Sequence, residues 1–118
     1  MKQWYALHTK PSTEGQVAAH LKRKEIDYAT KLVAAADHPA YYPDPVKLTI
    51  KLLYEKRTLR LLGANIAGAR GAVLRGDILA TAIHAGMTTA ELGMVDLAYA
   101  PPFATVWDAV HIAANAAK

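Results

Sequence analysis

Three tyrosines are the side chains of this 118-residue chain best suited to chemistry. Tyr41 and Tyr42 lie between two proline-containing segments, and Tyr99 lies two residues before Pro101-Pro102. A phenol hydroxyl is neutral at pH 7 and can donate and accept a hydrogen bond. Held on a rigid loop, it is suited to donating a hydrogen bond to a thiolate or another sulfur group. The alternative is that all three are core or interface residues with satisfied hydroxyls.

Other catalytic or metal-binding patterns are not found in the sequence. The chain has no cysteine, which excludes disulfides and thiol chemistry. No G-x-G-x-x-G segment follows a predicted strand, so we expect no dinucleotide site in this chain. The five histidines contain no pair four residues apart, and we expect no metal site; only His38 lies close to Tyr41 and Tyr42. Asp77 and Asp108 are expected in the first turns of helices, where a carboxylate favours the helix dipole.

The Pro101-Pro102 pair constrains the backbone beside Tyr99. Each proline ring fixes φ and removes an amide donor, so this pair cannot lie inside a helix or a central strand. We therefore predict that Tyr99 sits at a rigid corner. Thr105 and Asp108 have the spacing of a capping box, which predicts a last helix ending near residue 117.

Hydrophobic periodicity predicts the elements that hold these loops. Strands are predicted over residues 3–8, 28–35, 46–52 and 59–67, and the last two form a hairpin. Helices are predicted over residues 13–24, 72–85 and 105–117, with a short helix opened by a capping box from Thr88 to Glu91. In the helix over 72–85, the spacing predicts that Leu74, Ile78 and Ala82 face the core and that Gly86 follows its last turn.

The order of these elements is typical of an α+β fold. We expect one domain over residues 1–118, with an antiparallel sheet of about four to five strands and helices packed on one face. The 53% hydrophobic content favours a folded globule. No apolar run approaches the ~20 residues that cross a bilayer, and the first residues lack the apolar core of a signal peptide. We therefore expect a cytoplasmic protein with no membrane partner.

The net charge of +4 is unevenly distributed. Residues 1–60 carry eleven Lys and Arg against six Asp and Glu, whereas residues 61–118 carry three against four. A basic half is suited to attracting nucleic acid or a phosphate-bearing substrate. The alternative is a solvated surface of mixed charge.

Several motifs, in order along the chain, resemble one flavoprotein family. Residues 97–103 read LAYAPPF and are followed by Asp108. Further motifs are YYP at 41–43, KLLY at 51–54, LLGA at 61–64, and DILATAI at 77–83 with GMT at 86–88. Together they resemble the C-terminal dimerisation domain of the pyridine nucleotide-disulfide oxidoreductases, which include coenzyme A-disulfide reductases, NADH oxidases and persulfide reductases. The resemblance runs from about Ile26 to the C-terminus.

This resemblance implies a homodimerisation module that is not catalytic alone. The resembled enzymes bind FAD and NAD(P)H in other domains, which would be further partners, and work through a redox-active cysteine. A tyrosine of the YYP element and the tyrosine of YAPPF reach into the partner subunit's active site, beside its flavin, cysteine and bound coenzyme A. By motif position these are Tyr41, or its neighbour Tyr42, and Tyr99. The same position implies that Pro101, Pro102 and Phe103 line that region.

The first 26 residues also resemble a different family. Trp4 to Pro11 reads WYALHTKP, and Glu14, Val17 and His20-Leu21 follow; this is similar to the start of a NusG-type N-terminal domain. The segment is either the dimerisation domain's own first strand and helix, or a graft onto residues 27–118, or the start of a divergent NusG-like domain. The last of these implies a module that binds RNA polymerase or nucleic acid. We favour one continuous domain, and no catalytic pattern supports an independent enzyme.

Overall fold

The sheet and helices lie in the part of the chain that the structure, a computed structural model, describes: residues 5–7, 19, 21, 22 and 24–118. The strands are β1 (Tyr5–Leu7), β2 (Tyr28–Ala36), β3 (Lys47–Glu55) and β4 (Leu61–Gly68). The helices are α1 (Ala72–His84), α2 (Thr89–Leu92) and α3 (Ala109–Ala116). Residues 19, 21 and 22 are helical, and the rest of the helix predicted over 13–24 lies outside the described residues.

The sheet is antiparallel throughout its described strands, in the order β1-β4-β3-β2. The α+β class with an antiparallel sheet is therefore confirmed. β3 and β4 form the predicted hairpin, and β2 extends the sheet on the other side of β3. The loop between β2 and β3 carries Tyr41 and Tyr42, so it leaves the sheet from the end of an edge strand.

One face of β3 forms the centre of the core. Leu48, Ile50 and Leu52 alternate along the strand and are fully buried, because side chains two residues apart lie on the same face of a sheet. Ile50 has Val33 of β2 and Ile66 of β4 as its cross-strand partners. Both longer helices contribute to this same core, α1 over β4 and β1, and α3 over β2 and β3. The alternation predicted for this strand is confirmed.

The buried face of α1 differs from the predicted one. Leu74 is exposed and Ile78 is partly buried, whereas Ala72, Arg75 and Leu79 are buried. Residues four apart advance by more than a full helical turn, so a stripe drawn only through i+4 steps drifts off the contact face. The prediction for Leu74 is therefore wrong, and a charged residue, Arg75, lies on the buried face instead.

The helix ends follow local capping signals. Gly86 adopts a left-handed φ of 70° after the last turn of α1, as predicted. Thr88 and Glu91 form the predicted capping box at α2. α3, however, begins at Ala109 with Asp108 as its N-cap, so the prediction of a helix opened at Thr105 is wrong.

The N-cap position of Asp108 follows from its side-chain bond. Its carboxylate accepts a hydrogen bond from the Val110 amide at 2.9 Å, which requires the non-helical backbone of an N-cap residue. Asp77 lies in the second turn of α1, not in the first as predicted. Within the described residues, no helix has the length and apolar character that a bilayer crossing requires.

Candidate functional site

The structure brings together two of the three tyrosines singled out from the sequence. The hydroxyls of Tyr41 and Tyr99 are 3.2 Å apart, although 58 residues separate them along the chain. Their side chains are 73% and 47% exposed, respectively. The pair therefore lies at the surface, where one hydroxyl donates to the other.

The contact with Tyr99 raises the pKa of Tyr41 above its ordinary value. The hydrogen bond between the two hydroxyls is the main cause, because ionisation would remove the proton that the pair shares. Tyr41 therefore keeps its proton at pH 7. Two phenol hydroxyls in contact use one hydrogen between them and keep the other, which can be donated outwards.

The other predicted site residues lie close to Tyr41 and Tyr99 in the sequence but make different contacts. Tyr42 is partly exposed, and its ring packs edge-on against His38 at a centroid distance of 5.9 Å. Pro101 and Pro102 are partly buried in the turn that follows Tyr99, and Phe103 is exposed. Of the two candidates in the YYP motif, it is Tyr41 that contacts Tyr99.

Buried polar groups anchor the loop that carries Tyr41. The Asp37 carboxylate accepts hydrogen bonds from the Val46 amide, from Arg70 Nε and from His38 Nδ1, each at 2.8 Å. The other ring nitrogen of His38 lies 3.0 Å from the Pro43 carbonyl. Asp37 and His38 are both buried. The loop is therefore closed at its base and braced from within.

These contacts lower the pKa of Asp37. Burial is the largest single effect and on its own raises that pKa, but the hydrogen bonds from Arg70, Val46 and His38 together outweigh it. The Asp37 carboxyl is thus held ionised, and it is a structural anchor of the loop. His38, noted in the sequence for its position, has the same role.

The segment that carries Tyr99 is fixed at both ends. Upstream, the His111 side chain hydrogen-bonds the Val95 carbonyl at 2.8 Å. Downstream, the Ala100 carbonyl accepts from the amides of Phe103 and Ala104 at 2.9 and 3.0 Å. The rigid corner predicted from the two prolines is thus a hydrogen-bonded turn.

A shallow groove of about 550 Å³ runs beside the tyrosine pair. We call it the tyrosine groove, and it is lined by Ala34, Ala35, Ala36, Pro39, Tyr41, Tyr99, Thr105, Val106, Trp107 and Ile112. None of these side chains is charged. A dinucleotide pyrophosphate needs cations or a cluster of backbone amides, so the groove does not fit FAD or NAD(P)H. Across the described residues, no three His, Cys, Asp or Glu side chains are grouped as a metal ion would require.

Sequence reasoning missed Arg75. Its Nε and Nη2 donate to the Asp108 carboxylate at 2.6–3.0 Å, and both side chains are at least nine-tenths buried. The available signal was its position, three residues after Ala72 and four before Leu79, in the stripe that faces the core. A charged residue within such a stripe requires a buried partner.

The chain belongs to the family of the pyridine nucleotide-disulphide oxidoreductase dimerisation domain, whose family model matches residues 10–110. The NAD(P)H coenzyme A polysulfide/persulfide reductase of Pyrococcus horikoshii is 38% identical over 92 residues, 78% of this chain and 20% of that protein. The coenzyme A disulfide reductase of Staphylococcus aureus strain JH9 is 32% identical over 95 residues, 80% of this chain and 22% of that protein. The solved structure of a NAD-dependent persulfide reductase from A. fulgidus superimposes with a TM-score of 0.79 at 39% identity, over 84% of this chain and 18% of that one.

The chain therefore spans about a fifth of the length of the curated relatives that it matches. The dimerisation-domain resemblance seen in the sequence is confirmed. The NusG-type resemblance of the first 26 residues receives no support from these relatives, and the family match begins at residue 10, inside that segment.

Proposed function

We propose that this chain is the self-associating module of a longer FAD- and NAD(P)H-dependent disulfide reductase, acting on coenzyme A disulfide, a persulfide or oxygen, and that it supplies tyrosine hydroxyls to the partner subunit's active site. Family membership supports the self-associating role. The observation that carries the tyrosine role is the exposed hydroxyl pair of Tyr41 and Tyr99. The chain binds no cofactor itself in this proposal, because FAD, NAD(P)H and coenzyme A are held by other domains.

The hydroxyl pair has the properties that an anionic sulfur requires of a neighbour. One hydroxyl uses its hydrogen within the pair, and the other keeps a hydrogen that can be donated to a thiolate or persulfide beyond the chain. A donor that itself accepts a hydrogen bond is polarised and donates more strongly. The raised pKa of Tyr41 keeps its hydroxyl neutral, so this hydroxyl does not repel an approaching anion.

The surroundings of the pair support a protein partner. Val106, Trp107 and Ile112 of the tyrosine groove are exposed apolar residues. Phe103, four residues after Tyr99 in the sequence, is also exposed. Exposed aromatic and apolar residues grouped around a few polar ones are typical of protein interfaces. A second copy of the chain, with its own flavin domain, is the partner that a two-fold interface supplies. The proposal includes Tyr42, Pro101, Pro102 and Phe103, the neighbours of the pair in sequence, as further residues of this interface.

The proposal includes one continuous domain from residue 1 to residue 118. The family match that begins at residue 10 supports this, because it includes the helix predicted over residues 13–24 together with the rest of the domain. β1 also pairs directly with β4 in the sheet. Neither observation favours a graft of residues 1–26 or a module that binds RNA polymerase or nucleic acid.

Sedimentation equilibrium over a concentration series tests the self-association. We expect a dimer, and we expect Val106→Glu to weaken it at least tenfold, since it places a charge in the middle of an apolar contact. Met94→Glu is the matched control: Met94 is 78% exposed and Val106 is 70% exposed, but Met94 does not line the tyrosine groove. A chain that is monomeric at every concentration, or equal weakening by both substitutions, would contradict the proposal.

A further inference from the structure

One guanidinium group joins the two loops that carry the tyrosines. Arg75 Nη2 donates to the backbone carbonyl of Asp37 at 2.8 Å and to that of Phe103 at 3.2 Å. Asp37 lies four residues before Tyr41, and Phe103 lies four residues after Tyr99. Arg75 itself is on neither loop, because it belongs to the first turn of α1.

The guanidinium is held in place from two further directions. Its Nε and Nη2 bind the Asp108 carboxylate at the start of α3, and its Nη1 donates to the Gly71 carbonyl at 3.1 Å. The planar fork of arginine can engage a carboxylate and several carbonyls at once, which the single ammonium of lysine cannot do. Arg75 therefore fixes the bases of both loops relative to α1 and α3.

We propose that Arg75 is a positioning residue, which holds Tyr41 and Tyr99 in hydrogen-bond contact by binding the carbonyls of Asp37 and Phe103. The tyrosine hydroxyls are exposed, and solvent competes for a bond between exposed groups. The contact between the two hydroxyls therefore depends on the bases of both loops being held at fixed positions relative to each other. The consequence for turnover in a reductase rests on the proposed function, whereas the effect on the tyrosine pair does not.

The test must remove the guanidinium without leaving a buried charge. Arg75→Met alone orphans the Asp108 carboxylate, which is strongly destabilising. The double variant Arg75→Met with Asp108→Asn has no charge at either position. Asparagine is as good an N-cap for α3 as aspartate. Asp108→Asn alone is the matched control, since it keeps the bonds from Arg75 to both carbonyls. It leaves the buried guanidinium without its carboxylate, so circular dichroism must first show that this control is folded.

The readout is the pH titration of Tyr41, followed by NMR on the full chain carrying ¹³Cζ-tyrosine and assigned with Tyr41→Phe. In the unaltered chain the midpoint for Tyr41 lies above its ordinary value because of Tyr99. In Tyr99→Phe it falls. We expect the double variant to lower the midpoint as far as Tyr99→Phe does, and addition of Tyr99→Phe to the double variant to lower it no further. Asp108→Asn alone leaves it raised.

A folded double variant that keeps the raised Tyr41 midpoint would overturn the positioning role. So would a midpoint that falls further when Tyr99→Phe is added to the double variant. Arg75→Lys carries the same expectation and keeps a positive charge opposite Asp108, so the test does not depend on the core accepting a neutral pair. The double variant could lose the raised Tyr41 midpoint while the unaltered chain is found to be monomeric. That result would refute the proposed function and leave the positioning role of Arg75 intact.

Discussion

The buried ion pair between Arg75 and Asp108 leads to a prediction about stability. Arg75→Met removes three hydrogen bonds to the Asp108 carboxylate and those to three backbone carbonyls. The carboxylate then retains the backbone amides of Val110 and His111 as hydrogen-bond donors. Breaking a buried pair on one side costs about 3–5 kcal/mol, a large part of the about 5–15 kcal/mol by which a domain is folded.

An exposed ion pair in the same chain supplies the control. Lys56 Nζ lies 2.8 Å from Asp27 Oδ1, and Arg75 Nη2 lies 2.6 Å from Asp108 Oδ2. The side chains of Lys56 and Asp27 are 55% and 75% exposed, against 6% and 7% for Arg75 and Asp108. Lys56→Met removes the same charge from the chain. Since water solvates the exposed aspartate that remains, we expect a cost of about 1 kcal/mol or less.

Urea unfolding followed by far-ultraviolet circular dichroism measures both free energies. For a domain of this size we expect Arg75→Met to lower the urea midpoint by about 2–3 M, and Lys56→Met to lower it by less than about 1 M. Adding Asp108→Asn to Arg75→Met removes the orphaned charge and is expected to recover about half of the loss or more. Equal costs for Arg75→Met and Lys56→Met would refute the reasoning, because burial would then make no difference.

Two further predictions concern the loop base and the start of α1. The pKa of Asp37 is lowered in the folded chain, so this carboxylate adds stability above the unfolded value of about 3.9 and loses it as the pH falls through the folded pKa. Acid unfolding should therefore show less loss of stability below about pH 4 in Asp37→Asn than in the unaltered chain; parallel curves would be evidence against the role of Asp37. Gly71 has a φ of 73°, and a Cβ there would lie 2.5 Å from Arg75 Nη1. Gly71→Ala is expected to cost about 1–2 kcal/mol in urea unfolding, and an unchanged midpoint would contradict this.

The sequence predicted most of the strands and helix ends because each depends on local signals. The alternation along β3 sets its buried face, and Gly86 and the Thr88 capping box mark helix ends through their own backbone and side-chain bonds. The start of α3 was predicted too early because Thr105 and Asp108 have the same capping spacing as Asp108 and His111. The bonds of the Asp108 carboxylate to the backbone amides of the first turn distinguish the two, and the sequence does not show them.

The candidate site was predictable in part. The motifs pointed to Tyr41, Tyr42 and Tyr99, but not to which of the first two meets the third, because that depends on the path of a ten-residue loop. Arg75 was missed because its bonds to the loops run to backbone carbonyls, which leave no mark in the side-chain pattern. The buried stripe of α1 was assigned to Leu74 because residues four apart drift off the contact face, which carries Arg75 instead.

The most direct test of the account is to place this chain in a reductase. Residues 1–118, which include β1 and the whole of α3, would replace the matching domain of the Pyrococcus horikoshii reductase. The turnover number and flavin content of the chimera would be measured with Tyr99→Phe and Tyr28→Phe. Tyr28 starts β2, at the opposite end of that strand from the tyrosine groove. Removing one donor to a reacting anion costs about tenfold or more in turnover.

We expect Tyr99→Phe to lower the turnover number of the chimera by about tenfold or more, with the dimer and the flavin content unchanged. Tyr28→Phe should leave all three values as they were. Equal turnover in Tyr99→Phe and the unaltered chimera would contradict the claim that this domain supplies tyrosine hydroxyls to its partner's active site.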